Sequence, residues 1–258
     1  MVLFESLLVA MSTYSVIPMP QFEWNEKNMK YAICFFPAVG VVCGLGLWGW
    51  YALASFLKLN AVLFAAVAVV LPLLITGGIH MDGFMDTTDA LASHQLREKK
   101  LEILKDPHCG AFAVIYCGVY LILNFGLFYQ LFETGSVLVL CPVYILSRAL
   151  SGFCAVTMPN ARKAGMLCAY TRNTDRHKAV AATLITAALA SAGILAISPV
   201  SGICVLVCAA LALLYYRLMT MKQFGGVTGD TAGFFLQIFE LSALIGGVTG
   251  GLIMAAIR

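Results

Sequence analysis

The chain has 258 residues, 61% of them hydrophobic and 11% charged, with a formal net charge of +3 and a mean hydropathy of +0.90. A soluble domain carries roughly 25% charged residues, so this composition excludes an ordinary water-soluble enzyme and predicts a polytopic protein in the lipid bilayer. No nucleic-acid partner is expected, and the nine cysteines form no CxxC or Cys/His metal spacing.

Residues 1–17 are apolar apart from Glu5, are interrupted by serine, threonine and tyrosine, and end at Pro18 and Pro20. They lack a basic first region and an AxA-like cleavage site, so they do not read as a signal peptide. A partly embedded amphipathic or re-entrant helix is expected here. Apolar windows then follow at 31–56, 59–79, 111–132, 137–156, 179–197, 203–216 and 232–257. Most reach the roughly 20 residues that a helix needs to cross hydrocarbon, and the short sixth window could begin as early as Pro199. Unsatisfied backbone is too costly in lipid for these runs to be anything but helical. The expected fold is therefore an all-α transmembrane bundle of about seven spans plus the N-terminal helix, with residues 1–258 as one domain.

Basic residues fall in alternate connections, at Lys27, Lys30, Arg97, Lys99, Lys100, Lys105, Arg162, Lys163, Arg172, Arg176, Lys178, Arg217 and Lys222, whereas the other side has little beyond Lys58 and Arg258. The positive-inside rule places residues 18–30, 80–110, 157–178 and 217–231 in the cytoplasm. The long polar connections share that side, so one face is built to carry a site.

The first cluster on that face is TGGIHMDGFMDTTDA, Thr76 to Ala90. If it is helical from about His80, then Asp82, Asp86 and Asp89 stand at i, i+4 and i+7 on one face. Such carboxylates repel one another, and a hard divalent cation such as magnesium or manganese relieves this, with substrate phosphates completing its shell. The plain alternative is a solvated acidic helix start. Gly77, Gly78 and Gly83 argue against it, since they permit close approach by backbone or ligand.

Next comes HQLREKKLEILK, which reads as a short surface helix with a solvated charged face at Arg97, Glu98, Lys99, Lys100 and Glu102. Lys105 and Asp106 precede a proline-marked break, where the backbone is constrained, and are candidates for a functional pair. In the fourth span Arg148 is expensive unless it pairs or snorkels. It stands about 12 Å from the cytoplasmic end along a helix. Contact with a substrate anion or the metal site would offset its burial, and pairing with the intramembrane Glu240 is the alternative.

Pro159 to Met166, PNARKAGM, is a shaped basic loop containing Arg162. Gly225 to Gly233, GGVTGDTAG, exposes backbone N–H groups at Gly226, Thr228 and Gly229 just before the last span, with Asp230 or Thr231 as the cap. It is not a P-loop, because GxxxxGK[ST] is absent. Aspartates, basic groups and two glycine-rich turns on one end of a helical bundle suit phosphoryl transfer: a metal bridges a diphosphate, Lys105, Arg148 and Arg162 spread phosphate charge, and His80 or an aspartate takes a proton.

In order, GGxHxDGxxDxxD in Gly77 to Asp89, KDxxxGxxA in Lys105 to Ala113, PxARxxGM in Pro159 to Met166 and GGxTGDxxG in Gly225 to Gly233 resemble the cobalamin synthase family, adenosylcobinamide-GDP ribazoletransferase. The resemblance covers essentially the whole chain, and its first and last motifs are the specific ones. It implies a Mg2+-dependent enzyme of the inner membrane that joins adenosylcobinamide-GDP to alpha-ribazole or alpha-ribazole 5'-phosphate and releases GMP. It further implies an acidic signature at Asp82, Asp86 and Asp89 beside His80, with Asp230 as a late acidic position. The catalytic candidates are then His80, Asp82, Asp86, Asp89, Lys105 and Arg148. Gly77, Gly78, Asp106, Arg162, Gly226, Thr228 and Gly229 are candidates for substrate binding, and Asp82, Asp86, Asp89 and Asp230 for metal. The chain departs from the family where members carry a Thr-Arg-hydrophobic-Pro-Val-Pro segment, having Ser15-Val16-Ile17-Pro18-Met19-Pro20 without the arginine, and where Pro107-His108 replaces a common Ser-Arg. These departures bear on substrate preference more than on the reaction. Lys27 or Lys30 could stand in for the missing arginine.

Two other readings remain open at this stage. A CDP-alcohol phosphatidyltransferase-like enzyme also clusters aspartates at a membrane face, although Asp-Gly-Phe-Met-Asp only partly echoes its pattern. Intramembrane charge and glycine-broken helices also mark transporters. The composition leaves room for a homo-oligomer.

Overall fold

A computed structural model describes residues 2–20 and 25–257; Arg258, counted above on the poorly charged side, lies outside them. The order is α1 (Val2–Tyr14), α2 (Glu26–Met29), α3 (Ala32–Phe56), α4 (Ala61–Thr76), α5 (Ile79–Ala92), α6 (Arg97–Ile103), α7 (Ala111–Glu133), a 3-10 turn (Val137–Leu140), α8 (Cys141–Thr157), α9 (Met166–Asn173), α10 (Arg176–Ile197), α11 (Pro199–Gln223) and α12 (Gly229–Ile257). Six of these, α3, α7, α8 with its 3-10 turn, α10, α11 and α12, are long and apolar enough to cross a membrane. Counting the bent α4–α5 pair as one broken span makes seven. The protein is thus an all-α polytopic membrane bundle. The sixth window begins at Pro199, since Ser198 caps α11 by accepting from the Ser201 N–H.

Hydropathy alone does not say which spans are central; burial does. The α8 span is 67% buried, against 22% for α7 and α10, so α8 is the axis of the bundle and the other two face lipid with leucine and isoleucine. Small residues let the backbones meet, as in other membrane bundles. Gly40 of α3 lies on the Tyr144 carbonyl of α8, and Gly246 of α12 lies on Cys204 of α11.

The bundle has two unlike ends. At one, only short turns occur, and Gly251 packs on Thr134 and Ser136. At the other, the long polar connections are tied together. Val16 N–H donates to the Ile75 carbonyl at 2.9 Å, and Asp175 N–H to the Lys30 carbonyl at 3.1 Å. The N-terminal α1 is 13 residues long and packs on α3, burying Leu8, Val9, Ala10 and Met11. Ser6 fixes it to α2 by donating to the Asn28 carbonyl at 2.7 Å, and the Thr13 hydroxyl bonds Tyr170 of α9.

Candidate active site

The site begins where α4 stops. Its window is apolar through Ile79, but Gly77 and Gly78 both adopt left-handed backbone, with φ of 64° and 77°, which costs glycine nothing. Gly77 ends α4 as a left-handed C-cap, and α5 leaves at 96°. The expected span 59–79 therefore breaks at Thr76, and α5 turns off nearly at right angles to α4. Asp82, Asp86 and Asp89 lie along α5 at the expected helical spacing.

Contact with α12 turns this row into a cluster. A Cβ on Gly83 would stand 2.7 Å from the Asp230 carbonyl, and one on Gly233 would stand 2.9 Å from the His80 carbonyl. Two glycines thus let α5 and α12 cross with backbones touching, which carries Asp230 to the α5 carboxylates. The Asp86 carboxyl is pushed up to about 6 by burial first, then by the charges of Asp82 and Asp230, with Arg162 opposing and Asp89 adding. All four carboxylates therefore act within one electrostatic neighbourhood.

Arg162 arrives by a separate route. Val227 N–H donates to the Pro159 carbonyl at 2.8 Å, and Ala161 N–H donates to the Val227 carbonyl at 2.9 Å. This parallel bridge zips the basic loop to the glycine turn and sets Arg162 Nη1 3.2 Å from Asp230 Oδ2. Gly226 is forced by the approach, because a Cβ there would meet the Pro159 carbonyl at 2.3 Å. The cap of α12 is Thr228, not Asp230 or Thr231: Thr231 N–H donates to Thr228 Oγ1 at 3.1 Å, and Thr228 N–H returns a bond to Thr231 Oγ1 at 2.8 Å. That leaves the Asp230 carboxylate for Arg162, with Thr228 Oγ1 also donating to it at 3.4 Å.

Behind the carboxylates is a cleft of about 290 Å3 between α1, α3, α5, α8, α9 and α12, with Asp82, Asp230, Gly229 and His80 in its wall. Tyr14 and Phe36 also line it, their ring centroids 4.4 Å apart and each about 6 Å from the His80 ring. His80 is 4% exposed, and its Nε2 has no partner. Burial, reinforced by the charge of Arg148, holds its pKa well below the usual histidine range. Neutral histidine with a vacant ring nitrogen is suited to one hydrogen bond with a bound molecule. Tyr14 and Phe36 carried no sequence signal, since an aromatic in an apolar run also fits core or lipid contact.

The other candidates divide. Asp89 lies against Gly110, where a Cβ would overlap its carboxylate oxygens; the glycine of the second motif is the space that Asp89 occupies. Lys105 is exposed beyond α6. Asp106 is also exposed and takes a bond from the His108 N–H at 3.0 Å, and the bonds from His108 hold its carboxyl below the ordinary value. Arg148 is 1% exposed and is engaged with Glu240, whose Oε1 also accepts from Ser147 Oγ at 2.9 Å. The structure thus gives Arg148 to the ion pair, the alternative to an anion contact. The charged face of α6 is also not wholly solvated. Lys100 is 6% exposed and donates to Gln223, and Arg97 lies over Gly225. The Lys99–Glu102 pair remains on the surface at 2.8 Å.

Among the described residues no group of three His, Cys, Asp or Glu side chains stands ready-made to hold a metal ion. Magnesium does not need one, because it commonly uses one or two carboxylates, keeps waters and takes the rest of its shell from substrate phosphate. Aspartates whose charges add to the raised proton affinity of Asp86 and Asp230 fit that use.

The chain matches the family described as cobalamin-5-phosphate synthase over residues 6–248. It belongs to that family. It is 41% identical over 238 residues to an adenosylcobinamide-GDP ribazoletransferase of Lachnoclostridium phytofermentans, covering 92% of this chain and 91% of the relative. It is 32% identical over 247 residues to one of Clostridium botulinum strain Alaska E43, covering 94% and 96%. It is 35% identical over 227 residues to one of Pseudomonas entomophila, covering 86% and 89%. No solved structure matches the chain. Of the three readings open in the sequence, membership in the ribazoletransferase family selects the first, a transferase of cobalamin biosynthesis.

Proposed function

We propose that this protein transfers the phosphocobinamide group of adenosylcobinamide-GDP to alpha-ribazole or alpha-ribazole 5'-phosphate and releases GMP. The observation that carries the reading is the convergence of Asp82, Asp86, Asp89, Asp230 and Arg162, drawn from separate segments, beside a cleft of nucleoside size. The names of the relatives supply the substrates. One or two carboxylates at a time from Asp82, Asp86, Asp89 and Asp230 would hold magnesium, which when bound would neutralise the diphosphate. Arg162 spreads charge on the transferred group, as a guanidinium fork does well. The glycine turn at Gly226 to Gly229 lets phosphate approach backbone. A hydroxyl of the ribazole ribose attacks the phosphorus on the cobinamide side, forming the new P–O bond as the bond to GMP breaks. Its proton passes to a carboxylate of the set.

The reading is tested by GMP release from adenosylcobinamide-GDP in detergent micelles, with both substrates and magnesium present. Release that needs all three components supports it, and its absence from folded protein refutes it. The cytoplasmic placement of the polar end in a bacterial inner membrane belongs to the same proposal and rests on the basic connections. Single cysteines near Asp89, Arg172 and Phe224 should be labelled from the cytoplasm, and those near Asn60, Thr134 and Pro199 from outside.

A further inference from the structure

Asp82 and Ile79 line two separate spaces at once. On one face of α5 is the enclosed cleft of about 290 Å3. On the other is an open shelf of about 560 Å3, with Leu73, Gly77, Gly78, Met81 and Met85 completing its walls. Substrates of very unequal size would be sorted by these two spaces before any specific contact is considered.

The cleft is at the lower limit of pockets that enclose drug-sized molecules, roughly 300–1,000 Å3, so a corrin macrocycle does not enter it. Its inner wall is aromatic, with Tyr14, Phe36 and His80 in mutual ring contact. Aromatic side chains are the usual platform for a flat base. His80 Nε2, buried and without a partner, offers one hydrogen bond to such a ring or its sugar. The shelf has the opposite character. It is shallow, nothing within 4 Å stands in the space beside Gly78, and two methionines give it an adaptable apolar surface.

We propose that the two faces of α5 divide the substrates: the cleft takes the heterobicyclic base of the nucleoside acceptor, and the shelf takes one face of the macrocyclic donor. The diphosphate then lies over Asp82, where the two spaces meet. This rests on the ribazoletransferase reading given above, and it adds a binding role for Tyr14 and Phe36 and a separate one for Met85.

Two measurements test the division. In titration calorimetry of the detergent-solubilised protein with alpha-ribazole alone, without magnesium, Tyr14→Ala and Phe36→Leu should each weaken binding about tenfold, the size expected for loss of a base stack. Tyr14→Phe should retain the affinity, and Met85→Glu should leave it within about twofold. Phe36→Leu keeps most of the apolar bulk, so folding is preserved for the comparison. In steady-state assays, Tyr14→Ala should raise the KM for alpha-ribazole and not that for adenosylcobinamide-GDP, and Met85→Glu should do the reverse. A reversed pattern, or both KM values moving together in both variants, overturns the division while GMP release by the unaltered protein still stands. Failure of that release would instead remove the reaction on which the proposal rests.

Discussion

Two charged regions of the molecule follow opposite rules. In the centre of the bundle Arg148 faces Glu240, one charge to one, with Ser147 bonded to both. At the polar end Asp82, Asp86, Asp89 and Asp230 gather beside Arg162, which pairs with Asp230 and whose charge also reaches Asp86. The first set is balanced within the protein and borders a space of only about 20 Å3; the second is short of positive charge and borders the cleft of about 290 Å3. Burial of a charge in a membrane protein therefore does not by itself mark function. An unbalanced charge beside a space does, because only an incoming cation or ligand completes it.

Breaking the balanced pair should have the largest effect on the fold. Arg148→Ala strands Glu240 and should destabilise the protein by about 3–5 kcal/mol, and Arg148→Ala with Glu240→Ala should recover much of that loss. Thermal unfolding in detergent measures both. If Arg148→Ala melts normally but loses turnover, Arg148 belongs with the catalytic set and the contrast fails.

The unbalanced set should respond in activity instead. Asp82→Ala, Asp86→Ala or Asp89→Ala should each lower GMP release by about 100-fold, as expected for loss of a metal ligand or its support, with the fold intact. Near-normal turnover in all three would dissolve the cluster as a site.

Gly83→Ala tests the geometry without touching a charge. A methyl group there meets the Asp230 backbone, so α5 must move from α12, and turnover should fall by about tenfold with modest loss of stability. Unchanged turnover would mean that Asp230 acts independently of α5.

The smallest effect is that of pH. Because Asp86 is raised from 3.8 to about 6, the folded protein binds more protons than the unfolded chain between those values. Without magnesium, stability should therefore rise as pH falls through about 6. Apparent magnesium affinity should fall over the same range, since a proton and the metal compete for the carboxylate. Asp86→Asn should flatten the stability profile; an unchanged profile would remove Asp86 from the cluster.

How much of this could be read from the chain depends on how local the cause is. The spans were legible because hydropathy is local, and the α5 carboxylate row was legible because helical spacing is local. The turn at Gly77-Gly78 was visible as glycine but not as 96°, because glycine permits left-handed backbone without requiring it. The meeting of Asp230 with Asp82 depends on Gly83 and Gly233, some 150 residues apart, and no spacing encodes that. Arg148 and Glu240 could be paired because few other charges lie in the apolar runs. The burial of Lys100 against Gln223 was hidden, since a lysine in a charged helix looks the same whether solvated or docked.

The early stop of α4 has a physical reach beyond the site. Sixteen residues give a helix of about 24 Å, less than the roughly 30 Å of hydrocarbon in a typical bilayer. Where α4 crosses by itself, the membrane beside it would thin, or α5 would be drawn below the headgroups, to cover the mismatch. Acyl-chain length thereby becomes a variable of this enzyme, since thicker lipid would strain the helix that carries the aspartates while the longer spans adjust by tilting.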